Sequence, residues 1–176
     1  LTGALNRRAF HAAFDNAWRE AQRTHGALTC LMVDIDHFKN INDSHGHGVG
    51  DRVIQEVARK LQESVRGTDL LCRWGGEEFC IVIAGLDAAA SAAFAERVRV
   101  RVERECGAGV REISGLRVTV SVGVELLSAP WFASALPSCS PPPACRPAPF
   151  RATSCRSPST TASTPTRPDG SRPHSS

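Results

Sequence analysis

The sequence predicts an α+β domain, a mainly antiparallel sheet flanked by helices, followed by a tail outside that domain. Three observations carry the prediction. Helix-period and strand-period apolar segments follow one another as αβααββαβ, with two strands adjacent in the middle rather than a regular βαβ repeat. All 11 prolines lie at or beyond Pro130, so residues 1–129 contain none of the residue that most readily interrupts helices and strands. The chain of 176 residues is long enough for one domain with a substantial core and short for two.

The elements follow in order. From Asn6 to about Thr24, Phe10, Phe14 and Trp18 recur every four residues beside Ala13, Ala17 and Ala21, the apolar stripe of a helix, and Gly26 ends it. Residues 28–33 are almost wholly apolar, which suits a strand buried on both faces, and the run stops at Asp34. A short helix is expected through Asn42. After a Gly46-His47-Gly48 turn, Val53, Ile54, Val57, Leu61 and Val65 mark a longer helix with Asp51 in its first turn. Leu70–Trp74 and Phe79–Ile83 read as a hairpin around Gly75-Gly76. Phe94, Val98 and Val102 give a helix over about 88–106. Val118, Val120, Val122 and Val124 alternate with polar or small residues, as in a half-buried strand.

Beyond residue 128 the pattern dissolves. The segment 129–176 is rich in Pro, Ser and Arg and has no periodicity, so it is expected to be disordered. Charge divides at the same place: residues 1–128 carry a net charge of −1 and the tail +4. The overall basicity therefore belongs to the tail, and binding of a nucleic-acid polymer is not expected of the folded part. The seven cysteines form no CxxC pair. Together with the lack of a signal peptide, this predicts reduced thiols and a cytoplasmic domain. No apolar stretch reaches the roughly 18–20 residues needed to cross a bilayer. Because the chain opens on Leu1, an upstream sensory domain is expected in a longer parent, which could be membrane-attached.

Asp34 and Glu77 each stand at the margin of an apolar strand. If those strands are neighbours, both carboxylates emerge at one edge of the sheet, where a hard divalent cation takes one or two carboxylates plus substrate phosphates. Either acid alone fits a helix cap or a solvated turn; together they favour a metal–phosphate site. The strand-to-helix passage from Asp34 to Lys39 also presents free backbone N–H groups to an anion. His45 and His47 lack a third ligand, and Trp18 and Trp74 are expected in the core.

The successive segments Leu1-Thr2-Gly3, Asn6-Arg7-Arg8, Asp34-Ile35-Asp36-His37-Phe38-Lys39, Asn42-Asp43, Gly46-His47, Gly50-Asp51, Arg73 through Phe79 and Ser121-Val122-Gly123 closely resemble the motifs of the GGDEF diguanylate cyclase family. The resemblance implies a nucleotidyl-cyclase, palm-like fold that condenses two GTP molecules into cyclic di-GMP with release of two pyrophosphates. It implies two Mg²⁺ or Mn²⁺ ions held by Asp34, the Ile35 carbonyl and Glu77. Catalysis is assigned to Glu77, which also accepts a proton, with Glu78 as its partner. GTP contacts fall to His37, Phe38, Lys39, Asn42, Asp51, Gly75 and Gly76, with Asn42 and Asp51 on the guanine edge. The reaction requires an antiparallel homodimer, each copy holding one GTP. Arg66 and Asp69 match the RxxD inhibitory product site, and Arg97 stands where some members place a further product-binding arginine. A local surface ion pair between Arg66 and Asp69 is the structural alternative.

After Ser121-Val122-Gly123 the pattern fails. Family members continue with an Ala-Leu-Tyr-x-Ala-Lys-like helix and a Gly-Arg-Asn ending that contacts the triphosphate, whereas this chain has no tyrosine and no lysine after Lys60. A shift of reading frame near codon 128 is one account of the tail, and a natural alternative C-terminus is another. Two functional readings follow: an active diguanylate cyclase, or an impaired module that senses GTP or cyclic di-GMP. A non-functional fragment is a third.

Overall fold

The computed structural model describes residues 2–111 and 113–127, so the predicted disordered tail lies outside the described residues. The elements are α1 (Arg7–Arg23), β1 (Leu28–Ile35), α2 (Phe38–His45), α3 (His47–Gln62), β2 (Leu70–Arg73), β3 (Glu78–Ala84), α4 (Ala88–Gly109) and β4 (Val120–Leu127). Their order is the predicted αβααββαβ.

Local chemistry sets the ends. Asn6 precedes α1 and its side chain accepts from Ala9 N–H at 2.9 Å, and Asp87 does the same for α4 with Ala90 N–H at 2.7 Å. Each such cap contributes about 1 kcal/mol by satisfying an amide that has no intrahelical acceptor. Two differences from the sequence reading bear on the site. Asp34 lies inside β1 rather than at its exit, because ladder pairing continues on both sides, to Glu78 and to Ser121. Helix α3 already begins at His47, so the expected turn contracts to Gly46 at φ 83, and Asp51 follows the first helical turn.

The sheet order is β2-β3-β1-β4, with all three pairings antiparallel. A parallel bridge from Leu5 to Cys72 extends it beyond β2. Alternation sorts the side chains. Leu31, Val33, Ile35, Phe79, Ile81, Val120 and Val122 pack against Val53, Val57 and Leu61 of α3 and Phe94, Val98 and Val102 of α4. Leu28, Cys30, Cys72, Cys80 and Val82 face Phe10 and Ala21 of α1 on the other side. Thr29 is fully buried on the first face, and its hydroxyl bonds to Ser91 of α4 at 2.7 Å.

Cys30, Cys72, Cys80 and Cys106 are buried thiols. Burial pushes Cys72 up to about 11 and Cys106 up to about 12, which keeps both protonated and unreactive. Among the described residues no helix is long and apolar enough to cross a membrane.

The crossing of α4 with the loop before β4 has no spare space. A Cβ on Gly107 would lie 1.8 Å from the Leu116 carbonyl oxygen, a backbone atom that cannot swing aside. Gly107→Ala is therefore expected to lower stability by roughly 1–3 kcal/mol, the range for overpacking. Urea unfolding monitored by circular dichroism checks this; an unchanged midpoint would show that the loop is not held against the helix.

Candidate active site

Three strand ends converge at one edge of the sheet. In the β1–β3 ladder Asp34 stands opposite Glu78, and Ile35 N–H donates to the Glu77 carbonyl at 3.3 Å. The two strands are thus neighbours, and both acidic segments meet as the sequence pattern required. Asp34 remains solvent-accessible, yet its carboxyl is pushed above the ordinary range. Desolvation by the surrounding chain is the main cause, followed by the negative charges of Glu77, Glu78 and Asp36. Asp34 does not cap the following helix: the N-cap of α2 is His37, which makes no side-chain capping bond.

The two glycines of the turn are not equivalent. A Cβ on Gly75 would sit 2.6 Å from Glu78 Oε2, so the bare glycine leaves room for that carboxylate to fold back over the turn. Around Gly76 the corresponding space is open. Trp74 N–H and Gly75 N–H both donate to the Glu78 carbonyl, at 2.8 and 3.3 Å. Arg73 donates through its guanidinium to the Gly76 carbonyl at 2.8 Å.

Asp36 has a different task from Asp34. Its carboxylate accepts from the hydroxyls of Thr119 and Ser121, at 2.7 and 2.6 Å, and its N–H donates to the Thr119 carbonyl at 3.0 Å. It ties the end of β1 to the start of β4, leaving Asp34 to face outward. The next residue, His37, adopts a left-handed conformation at φ 56, an unusual backbone state for a residue with a Cβ. This sharp reversal starts α2 immediately beside the acids. The first amides of a helix have no intrahelical acceptor, so Phe38 and Lys39 bring N–H groups to the same edge. The Phe38 side chain is buried in the core, whereas His37 and Lys39 are exposed.

One turn along α2, Asn42 meets α3 at Gly50. A Cβ there would fall 1.9 Å from Asn42 Oδ1 and 3.2 Å from the Phe38 ring. The bare glycine thus makes room for the Asn42 amide, and exposed Asp51 is the next residue of α3. Asn42 and Asp51, seven and sixteen residues beyond Ile35 in sequence, are brought together by the α2–α3 crossing.

The proposed inhibitory residues lie on separate elements. Asp69 accepts from Arg66 N–H at 2.7 Å and its own N–H returns to the Arg66 carbonyl at 3.0 Å, so the pair forms a backbone turn. The alternative of a side-chain ion pair is not what holds it, and the Arg66 side chain is exposed. Arg97 lies on α4 with its guanidinium 4.8 Å from the Phe94 ring centre. Arg101, one turn further on, links α4 to Glu63, the residue that caps the end of α3, at 2.6 Å.

The donor set suits a hard divalent cation. Among the described residues no three of His, Cys, Asp and Glu close into a complete cage. Mg²⁺ does not require one: it takes one or two carboxylates and completes its shell with water and phosphate oxygens. Mutually repelling carboxylates around Asp34 are the electrostatic condition that a cation relieves.

A family model described as "Diguanylate cyclase, GGDEF domain" matches residues 1–130. The chain belongs to that family. Among curated relatives, this GGDEF domain is 39% identical over 124 residues to the response regulator PleD of Caulobacter vibrioides. It is 41% identical over 124 residues to the probable diguanylate cyclase DgcT of Escherichia coli. Each match covers 70% of this chain and 27% of the relative, so the chain spans about a quarter of their length. Among solved structures, the GGDEF domain of DgcB from Caulobacter crescentus, in complex with c-di-GMP, superposes with a TM-score of 0.64. The identity is 32%, over 71% of this chain and 74% of that one. The active GGEEF domain of a Vibrio cholerae diguanylate cyclase gives 0.63 at 32% identity, covering 71% and 78%. The nucleotidyl-cyclase fold predicted for this GGDEF domain is the one it has.

Two contributors to the site were not assigned from sequence. The Asp36 clamp joins residues 83 and 85 positions apart, and Arg7 reaches the Trp74 carbonyl across 67 positions. Neither partner is marked by local periodicity; only the presence of Arg7 and Asp36 inside recognisable motifs could have drawn attention to them.

Two outcomes are expected. A carboxyl held above its ordinary value in the folded state costs stability as pH rises through that value, because its charged form is disfavoured. Asp34→Asn should therefore raise the melting temperature at neutral pH without metal, and shrink the further rise produced by added Mg²⁺. A thermal scan with and without the ion reads both effects; an equal Mg²⁺ response in variant and wild type would count against Asp34 as a ligand. Gly50→Ala should displace Asn42 and lower stability by about 1–3 kcal/mol, the range for overpacking, as read by urea unfolding.

Proposed function

We propose that this domain is a diguanylate cyclase, condensing two GTP molecules into cyclic di-GMP with release of two pyrophosphates. The observation that carries the reading is the convergence of Asp34, Glu77 and Glu78 at one sheet edge, beside the amides that open α2. Membership of the family and the named cyclases among its relatives support it. The described part of the chain supplies this edge complete, from residues 34 to 78.

Asp34, the Ile35 carbonyl and Glu77 would hold two divalent cations, Mg²⁺ or Mn²⁺. Ions bound there supply charge neutralisation at the triphosphate and polarise the α-phosphate toward attack. The remaining work falls to the chain. Amides of His37, Phe38 and Lys39 bind the terminal phosphates. Asn42 and Asp51 orient the guanine edge, the acid accepting ring N–H groups and the amide both donating and accepting. Gly75 and Gly76 let the nucleotide approach the backbone. Glu77, with Glu78 as its partner, takes the proton from the attacking 3′-hydroxyl. Because each 3′-hydroxyl must reach the other nucleotide's α-phosphate, two copies must face one another in an antiparallel homodimer.

Arg66 and Asp69, with Arg97, form the proposed product-inhibition site; the exposed Arg66 fork suits bidentate contact with phosphate or a guanine edge. The tail gives a specific reason for a second reading. It lacks the family's Lys and Arg contacts to the triphosphate, and the family match ends at residue 130. A domain so altered would bind GTP or cyclic di-GMP as a sensor without turnover.

Purified chain incubated with GTP and Mg²⁺ separates the two. Chromatography should show cyclic di-GMP from the wild type, with Glu77→Gln slower by roughly 10²–10⁴-fold, the range for loss of a positioned proton acceptor. Nucleotide binding without product in either protein would establish the sensing module instead.

A further inference from the structure

The turn that carries the acids is built from two adjacent glycines, the residues least able to hold a backbone in one conformation. Something outside the turn must restrain it. Its amides at Trp74 and Gly75 are satisfied within the hairpin by the Glu78 carbonyl. The carbonyls of Trp74 and Gly76 point the other way, and each is taken by an arginine. Arg73 holds Gly76 and comes from the adjoining strand. Arg7 holds Trp74 through Nε, and it is the first residue of α1.

Arg7 grips the same residue twice. Besides the hydrogen bond to the carbonyl, its guanidinium lies 4.7 Å from the centre of the Trp74 ring. The indole is also edge-on to Phe10 and His11 of α1, each at 5.8 Å between ring centres. Just before α1, Leu5 N–H donates to the Leu71 carbonyl at 2.9 Å, and the Leu5 carbonyl accepts from Arg73 N–H at 3.0 Å. The stretch from Leu5 to His11 thus follows β2 to its end and closes over the residue preceding Gly75.

We infer that Arg7 is a positioning residue: it fixes the Gly75-Gly76 turn and couples the amino-terminal segment to the placement of Glu77 and Glu78. The consequence for Glu77 rests on the proposed role of that residue in metal binding; the restraint on the turn does not. Arginine is the side chain suited to the task, since its planar fork donates in plane while its face stacks on an aromatic ring. Lysine offers a point charge that cannot satisfy both contacts with one rigid group.

Hydrogen exchange followed by mass spectrometry, and binding of GTP with Mn²⁺ followed by calorimetry, test the inference on the full chain. In Arg7→Met, amides of the 74–79 peptide should exchange at least about tenfold faster while peptides of β1 and α3 keep their protection. The affinity for GTP with Mn²⁺ should fall about tenfold, as when an orienting partner behind a metal ligand is lost. Arg7→Lys should recover part of the protection, and Arg8→Met should match the wild type. If Arg7→Met does not fold, the comparison of Arg7→Lys with Arg8→Met decides on the same peptide. Unchanged exchange at 74–79, or faster exchange spread evenly over all peptides, would overturn the inference. Absence of Mn²⁺-dependent GTP binding in the wild type would defeat the metal-site reading alone, with the exchange comparison still deciding the role of Arg7.

Discussion

The antiparallel register between Leu28–Ile35 and Glu78–Ala84 is the constraint on which the rest of the site depends. It aligns Val33 with Phe79 and Leu31 with Ile81, and the next rung sets Asp34 opposite Glu78. A slip of one residue would turn Asp34 toward α3 and α4 and place a charge where Val33 and Ile35 are now fully buried. The cost of burying an unpaired carboxylate is several kcal/mol, far above the repulsion between exposed acids. Apolar packing on one face therefore fixes which acids meet on the other. The domain tolerates crowded negative charge at this edge because its core, and not the site, sets the alignment.

Around that rung, positioning falls to groups that do not pair with Asp34. Asp36 is engaged by two hydroxyls, the turn glycines by backbone carbonyls and arginines, and Asn42 by the open surface of Gly50. None of these contacts neutralises Asp34. The edge is thus geometrically restrained while remaining electrostatically unbalanced, the combination in which a cation gains most from binding and reorganises least.

Much of this was legible in the sequence, for identifiable reasons. The stripe Phe10, Phe14, Trp18 and the valine alternation from Val118 to Val124 report burial, and burial has a period. The apolar run before Asp34 and the Gly75-Gly76 turn located both acids because strands end where their environment changes. What local pattern missed is contact made through space. Asp34 proved to be a ladder residue because strands on both sides continue past the apolar run, which depends on β3 and β4 rather than on β1. Arg7 and Asp36 make their decisive bonds to residues far along the chain, and nothing in their own neighbourhoods indicates which polar atom they will meet. The Arg66–Asp69 turn shows the converse: their spacing predicted proximity, while the backbone, rather than the guanidinium, received the bond.

The charge balance at the acid edge bears on the proposed function. A triphosphate approaching this edge meets Asp34, Asp36, Glu77 and Glu78, while the nearby guanidinium groups of Arg7 and Arg73 are engaged by backbone carbonyls. Exposed Lys39 and the α2 amides offer attraction on one side only. No lysine follows Lys60 in this chain. On the proposed reading, divalent cations would supply much of the balancing charge for a triphosphate, so nucleotide affinity should rise steeply with their concentration, as calorimetry with and without Mg²⁺ would read. The described edge thus concentrates negative charge that its own arginines leave unbalanced, and on the proposed reading the balance between turnover and mere recognition would be set by how tightly that edge holds divalent cations.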